Sequence, residues 1–455
     1  MRIVHLGLTI WTAVLVLTVS TQPAWVQEAP HLERLPPEVS QPSAAPAPWL
    51  LAASRPDQQS KPPVSLPPFF RDSRLLLFPR LFLFHRDNYD RSRRTAWALG
   101  GALSYQSGYL LERLALGAVG YASVGLYAPR DRDGSQLLKR GQRDIYVLGQ
   151  LYGEIKVRED IVLSLFRREY DTPYINRSDT RMLPNTFEAY TITVRSGKPQ
   201  SAAGQWSWQG GYFTRIKGKD SSSFVPMSRA AGVSANRGVG MISGRFTSEA
   251  FTSEAFGYYS PDLIAILYTE ARLRPPTSRG LSVQLAGQFS HQASTGAKLL
   301  WGRPFTTRQV GLQGDLGYRS AVLTLACTFN AIGGADLHSW WGTYPGFTSV
   351  QVRDFNRAGE HALLLKGSYD FSRHGLTGLQ AFVRWVRGWH RVNPVTRQPL
   401  SDEDELDVDV QWQPPSGRLK DLAVRLRCAR VWQRGGNQRP LDDCRLIVNY
   451  RLPLL

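Results

Sequence analysis

The chain has 455 residues, with 55 Lys+Arg against 37 Asp+Glu, a formal net charge of +18. Charged residues at 20% and hydrophobic ones at 42% exclude wholesale disorder, and three cysteines exclude a disulfide scaffold. After the first twenty residues no apolar run approaches the ~18 residues of a spanning helix, so a polytopic helical membrane protein is excluded too. What remains is a chain rich in Gly (40), Trp (13), Tyr (18) and Phe (19), which suits a β protein with tight turns and aromatic bands.

Met1 and Arg2 precede an apolar run from Ile3 to Ser20, followed by Thr21, Gln22, Pro23 and Ala24. This order reads as a secretory signal peptide over 1–24, and the mature chain is expected to work beyond the inner membrane. From Pro23 to Pro68 the chain carries 12 of its 29 prolines. Proline removes backbone donors and favours polyproline II, so residues 25–71 are expected to be a disordered, Pro-rich linker.

From about Ser73 the dominant signal is period two. Ile145, Val147, Leu151, Ile155 and Val157 alternate with Tyr146, Gln150, Tyr152, Glu154 and Lys156. Leu281, Val283, Leu285, Gly287 and Phe289 alternate with Ser282, Gln284, Ala286 and Gln288. Leu406, Val408, Val410 and Trp412 alternate with Glu405, Asp407, Asp409 and Gln411; Leu422, Val424, Leu426 and Cys428 alternate with Ala423, Arg425 and Arg427. Successive side chains of a strand point to opposite faces, so each segment has one greasy face and one polar face. A soluble sandwich hides the greasy face in a core; a membrane barrel turns it to lipid around a polar lumen.

The connections favour the barrel. Tight ones at Pro275–Gly280, Arg319–Ser320, His374–Gly378 and Pro414–Gly417 interleave with long ones at 293–307, 331–360, 390–404 and 433–441. Brief turns at one rim and long loops at the other mark an outer-membrane up-and-down barrel. Trp385, Trp389, Trp412, Trp432 and Tyr450 fall near strand ends, where membrane interfaces favour amphipathic rings. The last strand, Arg445–Leu455, must close on the first, expected around Arg74–Arg86, because an open edge in lipid strands unpaired backbone groups. At ~10 residues per strand, residues 72–455 hold 16 to 18 strands.

Closure gathers charge. Arg425 and Arg427 share the polar face of their strand, with Arg384 on a neighbour; Arg80 and Arg86 on the first strand adjoin Arg445 and Arg451 on the last. Glu405, Asp407 and Asp409 form an acidic set beside them. A guanidinium row offers several shallow sites for a carboxylate, and the acidic group suits an ammonium. Simple cross-strand pairing of Arg425 and Arg427 with Asp407 and Asp409 is the competing reading of those four.

Over residues 72–455 the chain resembles the OprD family of outer-membrane porins. Arg80-Leu-Phe-Leu-Phe-His-Arg86-Asp87 is similar to that family's first-strand R-N-Y-Y-F-x-R-D segment. Trp97-Ala-Leu-Gly-Gly, Ser107-Gly108-Tyr109 and Gly117-Ala-Val-Gly120 resemble its W-x-x-G, S-G-[FY] and G-x-V-G run. Arg177–Phe187 resembles D-S-R-L-L-P-Q-T-F, and Tyr369-Asp370-Phe371-Ser372, Lys420-Asp421-Leu422 and Arg445–Leu454 follow in family order. The linker is an addition, and arginine at 167 and 168 replaces the glycine that usually follows the segment matching Ser164-Leu165-Phe166.

The resemblance implies an all-β transmembrane antiparallel barrel of 18 strands, in this family often a homotrimer. It implies a bacterial outer-membrane porin for passive diffusion of amino acids, peptides and organic acids, with no cofactor. It implies a basic ladder along one lumen wall, here Arg80, Arg86, Arg384, Arg425, Arg427, Arg445 and Arg451. An acidic patch of Glu405, Asp407 and Asp409 faces it. A constriction loop carries Asp179, Arg181, Leu183, Pro184, Thr186 and Phe187.

Two rivals are a binding or adhesion barrel, with Trp340, Trp341, Tyr344 and Pro345 of the 331–360 loop meeting a partner, and a barrel hydrolase. No H-E-x-x-H, G-x-S-x-G or P-loop appears. The dispersed basic residues carry no nucleic-acid motif and are read as attraction to lipopolysaccharide and to small anionic or zwitterionic solutes. Cys327, Cys428 and Cys444 share apolar-face parity and are expected to be small lipid-facing residues; Cys428 and Cys444 lie symmetrically about the 433–441 loop, so a cross-strand disulfide between them is the competing reading.

Overall fold

The computed structural model describes residues 66–197, 204–278, 280–435 and 439–455. The expected signal at 1–24 and the linker up to residue 65 lie outside the described residues. The linker's last residues are folded: Pro68–Arg71 forms a helical turn, and Gly108 N–H donates to Phe69 O (2.9 Å).

Eighteen antiparallel strands among the described residues form one closed wall. The first six are β1 Arg74–Asp87, β2 Arg93–Gln106, β3 Leu114–Tyr127, β4 Ile145–Arg158, β5 Ile161–Arg168 and β6 Thr186–Gly197. The next six are β7 Gln205–Lys217, β8 Val239–Thr247, β9 Phe251–Ser260, β10 Ile264–Leu273, β11 Leu281–Ser294 and β12 Thr306–Tyr318. The last six are β13 Ala321–Asn330, β14 His361–Asp370, β15 Leu379–Trp389, β16 Glu403–Trp412, β17 Leu422–Gln433 and β18 Leu441–Tyr450. The two-residue pieces Val225–Pro226 and Leu452–Pro453 pair with β7 and β1 without crossing the wall. Each strand pairs with its sequence neighbours, and β18 pairs with β1 from Arg80↔Asn449 to Asp87↔Asp442. Short turns such as 159–160, 248–250 and 319–320 lie at one rim; the loops 128–144, 169–185, 218–238 and 331–360 lie at the other.

Burial is inside-out relative to a soluble sandwich. Leu285, Leu312 and Leu325 are exposed on the outer face, while Gln288, Gln309, Asp407 and Asp409 are buried within. Leu406, Val408 and Val410 point outward and are not sandwiched between sheets. That placement is what hydrocarbon demands of a barrel.

The alternation read from sequence holds on β11, β16 and β17 but fails on β4. A register irregularity at Val119/Gly120 skips Gly149, so the parity flips partway along the strand. Ile145 and Val147 therefore face inward, against Phe82, Phe84 and Leu137, not outward with Leu151 and Ile155. A bulge inserts one unpaired residue and exchanges the two faces beyond it. The last strand also starts earlier than expected, at Leu441 rather than Arg445.

The cysteine expectation is corrected as well. Cys428 and Cys444 do face outward, but they are register partners on β17 and β18, with Cα atoms 4.2 Å apart, and they are disulfide-bonded. Cys327 is free. Cross-strand neighbours on one face bring Cβ atoms within disulfide reach, which sequence parity alone does not reveal.

Two outcomes follow from these faces. Val408→Arg, on the lipid side of β16, should lose ~2–4 kcal/mol in equilibrium unfolding from lipid vesicles, whereas Ala423→Arg, on the lumen side of β17, should be tolerated. A purified, heat-denatured sample should run faster on a gel without reductant than with it, as the Cys428–Cys444 link requires.

Candidate functional site

Register places the inward charges of β14 to β18 and β1 directly across from one another. Lys366 lies opposite Arg384, and Arg384 opposite Asp407. Arg427 lies between Asp409 on β16 and Arg445 on β18, and Arg86 lies opposite Asp443. Cross-strand partners sit ~4.5–5.5 Å apart at Cβ, so opposite charges at these positions meet without rearrangement.

They do meet. Arg384 Nε donates to Asp407 Oδ2 at 2.7 Å, and both side chains are buried. Asp409 holds two guanidiniums, accepting hydrogen bonds from Arg425 Nε and Nη2 (2.8 Å each) and lying in ion-pair contact with Arg427 (Nε at 2.7 Å). Asp443 also holds two: Arg86 Nε donates to it at 2.7 Å and Arg445 Nε at 2.6 Å. Three carboxylates thus anchor five arginines. A bidentate guanidinium–carboxylate pair is among the stronger protein hydrogen bonds. Shared two to one, it leaves guanidinium charge over.

Two loops fold into the lumen against this wall. In the 169–185 loop, Asp179 receives Arg80 Nη1 at 2.6 Å and Nη2 at 3.1 Å, and Arg80 Nε reaches Asn449 on β18 at 2.7 Å. In the 331–360 loop, the N–H groups of Val352 and Arg353 donate to Glu405 at 2.7 and 2.8 Å. Gln351 donates to Asp407 through its N–H (3.2 Å) and to Asp443 through Nε2 (2.8 Å). The loops also grip each other: Asn176 N–H donates to Trp341 O, and Thr343 N–H to Asn176 Oδ1. Gly342 is required there, since a Cβ would lie 2.5 Å from the Asn176 amide.

Opposite the charged wall the lumen carries paired charges, Glu270 with Arg272 and Glu254 with Arg245, among neutral side chains. Inward Gln288, Ser290, Gln292, Gln309, Thr328 and Asn330 line it, and Tyr174, Tyr258, Tyr268 and Tyr344 fill it. Solvent exposure persists on the charged wall. Arg425, Arg427, Asp179 and Arg86 keep 33%, 15%, 17% and 14% of their side-chain surface there, against 3% for Arg445 beneath Gln351.

The fate of each expected residue is then plain. Arg80, Arg86, Arg384, Arg425, Arg427 and Arg445 come together on one wall, each paired with a carboxylate. Arg451 lies past β18, its N–H bonded to Asp421 O, and its Nε is without a hydrogen-bond partner among the described residues. Glu405, Asp407 and Asp409 lie on the strand adjoining the arginines, as the residues themselves suggested, and interleave with them, not opposite them as the resemblance implied. Asp179, Arg181, Leu183 and Pro184 lie in the inward loop; Thr186 and Phe187 are already the first residues of β6. Sequence reasoning missed Asp443, which shares a face with Arg445 two residues on, and Lys366. It also missed the inward turn of the 331–360 loop: Trp341 donates to Met227 O and Tyr344 to Gln309, which withdraws both rings from any outside partner.

A model of the OprD family of outer membrane porins matches residues 67–454. Porin D of Pseudomonas aeruginosa is 23% identical over 436 residues, 85% of this chain and 92% of its own. Among solved structures, OccK9 (OpdG) of P. aeruginosa superposes with a TM-score of 0.75 at 24% identity, over 85% of this chain and all of its own. P. aeruginosa OpdK, solved with vanillate, gives 0.72 at 20% over the same shares. A BenF-like porin from Pseudomonas fluorescens Pf-5 gives 0.75 at 18%, again over 85% and 100%.

The Arg80–Asp179 pair tethers the inward loop. Asp179→Ala and Arg80→Ala should each raise single-channel conductance and its noise in planar bilayers. The double variant should go no further than Arg80→Ala alone, which removes the Asp179 contact together with the bonds to Arg181 O and Met182 O.

Proposed function

This chain belongs to the OprD family of outer-membrane porins, a bacterial outer-membrane diffusion channel and not an enzyme, and we propose that it prefers small carboxylate-bearing solutes: amino acids, peptides and organic acids. The observation that carries this reading is the sharing of Asp409 by Arg425 and Arg427 and of Asp443 by Arg86 and Arg445. Each shared carboxylate cancels one of two guanidiniums. On this wall Asp407, Asp409 and Asp443 hold five arginines between them, Arg384, Arg425, Arg427, Arg86 and Arg445, with Glu405 beside them bonded to loop N–H groups.

The excess attracts anions. The carboxylates keep any one guanidinium from holding an anion too long, because a solute carboxylate exchanges with Asp409 or Asp443 instead of filling an empty site. Passage requires binding weak and multiple enough to leave. The ladder of Arg80, Arg86, Arg384, Arg425, Arg427, Arg445 and Arg451 is the proposed route, and Asp179 to Pro184 with the 331–360 loop its proposed constriction. Anionic lipopolysaccharide is the proposed neighbour at the loop-bearing rim, where outward Arg308, Arg387 and Arg430 end the apolar band.

The test is reversal potential under a salt gradient across a planar bilayer. The purified protein should prefer anions, and Arg425→Ala with Arg427→Ala should lower that preference. A cation preference unchanged by the two substitutions refutes the reading. Liposome swelling should run faster with organic anions than with neutral sugars of equal size.

A further inference from the structure

Beyond the wall itself, two cations reach the water path from loops. Arg181 of the 169–185 loop is held by carbonyls: its Nε donates to Ser135 O and its Nη1 to Thr180 O, both at 2.8 Å. Its guanidinium lies 5.1 Å from the centre of the Phe84 ring, and those of Arg445 and Arg86 lie 5.5 and 5.6 Å from the same ring. One ring therefore gathers a loop cation and two wall cations. Lys219, from the 218–238 loop, is partly exposed, and its Nζ lies 3.4 Å from Thr180 Oγ1, next in sequence to Arg181. No salt bridge to a carboxylate is formed by either side chain among the described residues.

We propose that Lys219 is a specificity-determining residue of this channel, forming with Arg181 a loop-borne station that binds a solute's carboxylate across the water path from Arg425 and Arg427. This rests on the anion preference proposed above and adds a second side to it. The wall cations are held by carboxylates of the wall itself, most of them on the neighbouring strand, whereas an amine bonded to one hydroxyl is free to turn toward a passing anion. The ligand class is a small carboxylate, whose two oxygens reach an ammonium on one side and a guanidinium on the other.

The charged groups around the amine come from four elements: Arg181 beside it, Arg445 on β18, Asp354 on the 331–360 loop and Asp220 on its own loop. Burial and the guanidiniums of Arg181 and Arg445 push the Lys219 amine down to about 7. Burial holds the Asp354 carboxyl above its ordinary value. As pH rises through about 7, Lys219 loses positive charge, which weakens attraction for anions.

The experiment uses the purified full chain in planar bilayers under a potassium acetate gradient, with Lys219→Gln, Lys219→Met and Lys219→Arg. Heat-modifiable gel mobility checks that each variant forms a barrel. Lys219→Gln and Lys219→Met should lower the acetate-to-potassium permeability ratio about fourfold, roughly what one charge contributes ~5 Å away in water. Lys219→Arg should keep the ratio and flatten its decline between pH 6 and pH 8.5, since arginine does not titrate there. An anion-preferring parent whose ratio is unchanged in both neutral variants overturns this inference and leaves the wall's role standing. A parent without anion preference overturns both.

Discussion

A backbone N–H or C=O in hydrocarbon has no water to bond, so a sheet in a membrane must close on itself. Every other feature of this molecule descends from that requirement. Closure brings β18 against β1, and two segments more than 350 residues apart become hydrogen-bonded neighbours (Arg80↔Asn449). It fixes two faces, one for lipid and one for water, and each strand's period of two sorts its residues between them. The arginines at both ends of the chain then fall on one wall.

The same low dielectric that forces closure decides how those arginines are held. A guanidinium half-covered by a loop is costly unless a carboxylate answers it. Strand register supplies the answer, through Arg384 opposite Asp407, Arg427 opposite Asp409 and Arg86 opposite Asp443. Loop backbone supplies the rest, with two N–H groups of the 331–360 loop donated to Glu405. The wall is thus both a band of charge inside the barrel and the surface on which the 331–360 loop docks. Those two roles share the same carboxylates, and Asp443 bonds Arg86, Arg445 and Gln351 at once.

What was legible in the sequence follows from the same hierarchy. Leu406, Val408 and Val410 against Glu405, Asp407 and Asp409 declare their faces locally, because the period of two belongs to the strand itself. The alternation of short and long connections announces the barrel. Residues 145–157 misled, because a skipped residue at Gly149 leaves no mark in composition. Asp443 was lost with a strand boundary two residues away. The Cys428–Cys444 bond needed register, which parity does not supply. The destination of the 331–360 loop was not legible at all. Its inward turn is fixed by partners such as Asn176 and Glu405, which the sequence separates from it by more than 40 residues and only the closed wall brings near.

The interleaving of acids with arginines on one wall has a consequence for how a channel of this kind selects. An unpaired guanidinium row inside protein would bind its first carboxylate tightly and stall, because desolvation strengthens every charge pair. A row already answered one-for-one would repel nothing and attract nothing. Sharing Asp409 and Asp443 two to one sits between those limits. Under the proposed preference, an incoming carboxylate would meet a guanidinium that is already partly satisfied, displace a bond of similar strength, and pass to the next pair. Selectivity then comes from the ratio of guanidiniums to resident carboxylates, and speed from the presence of those carboxylates. On the proposed anion preference, the acidic residues of this wall serve release as the arginines serve capture.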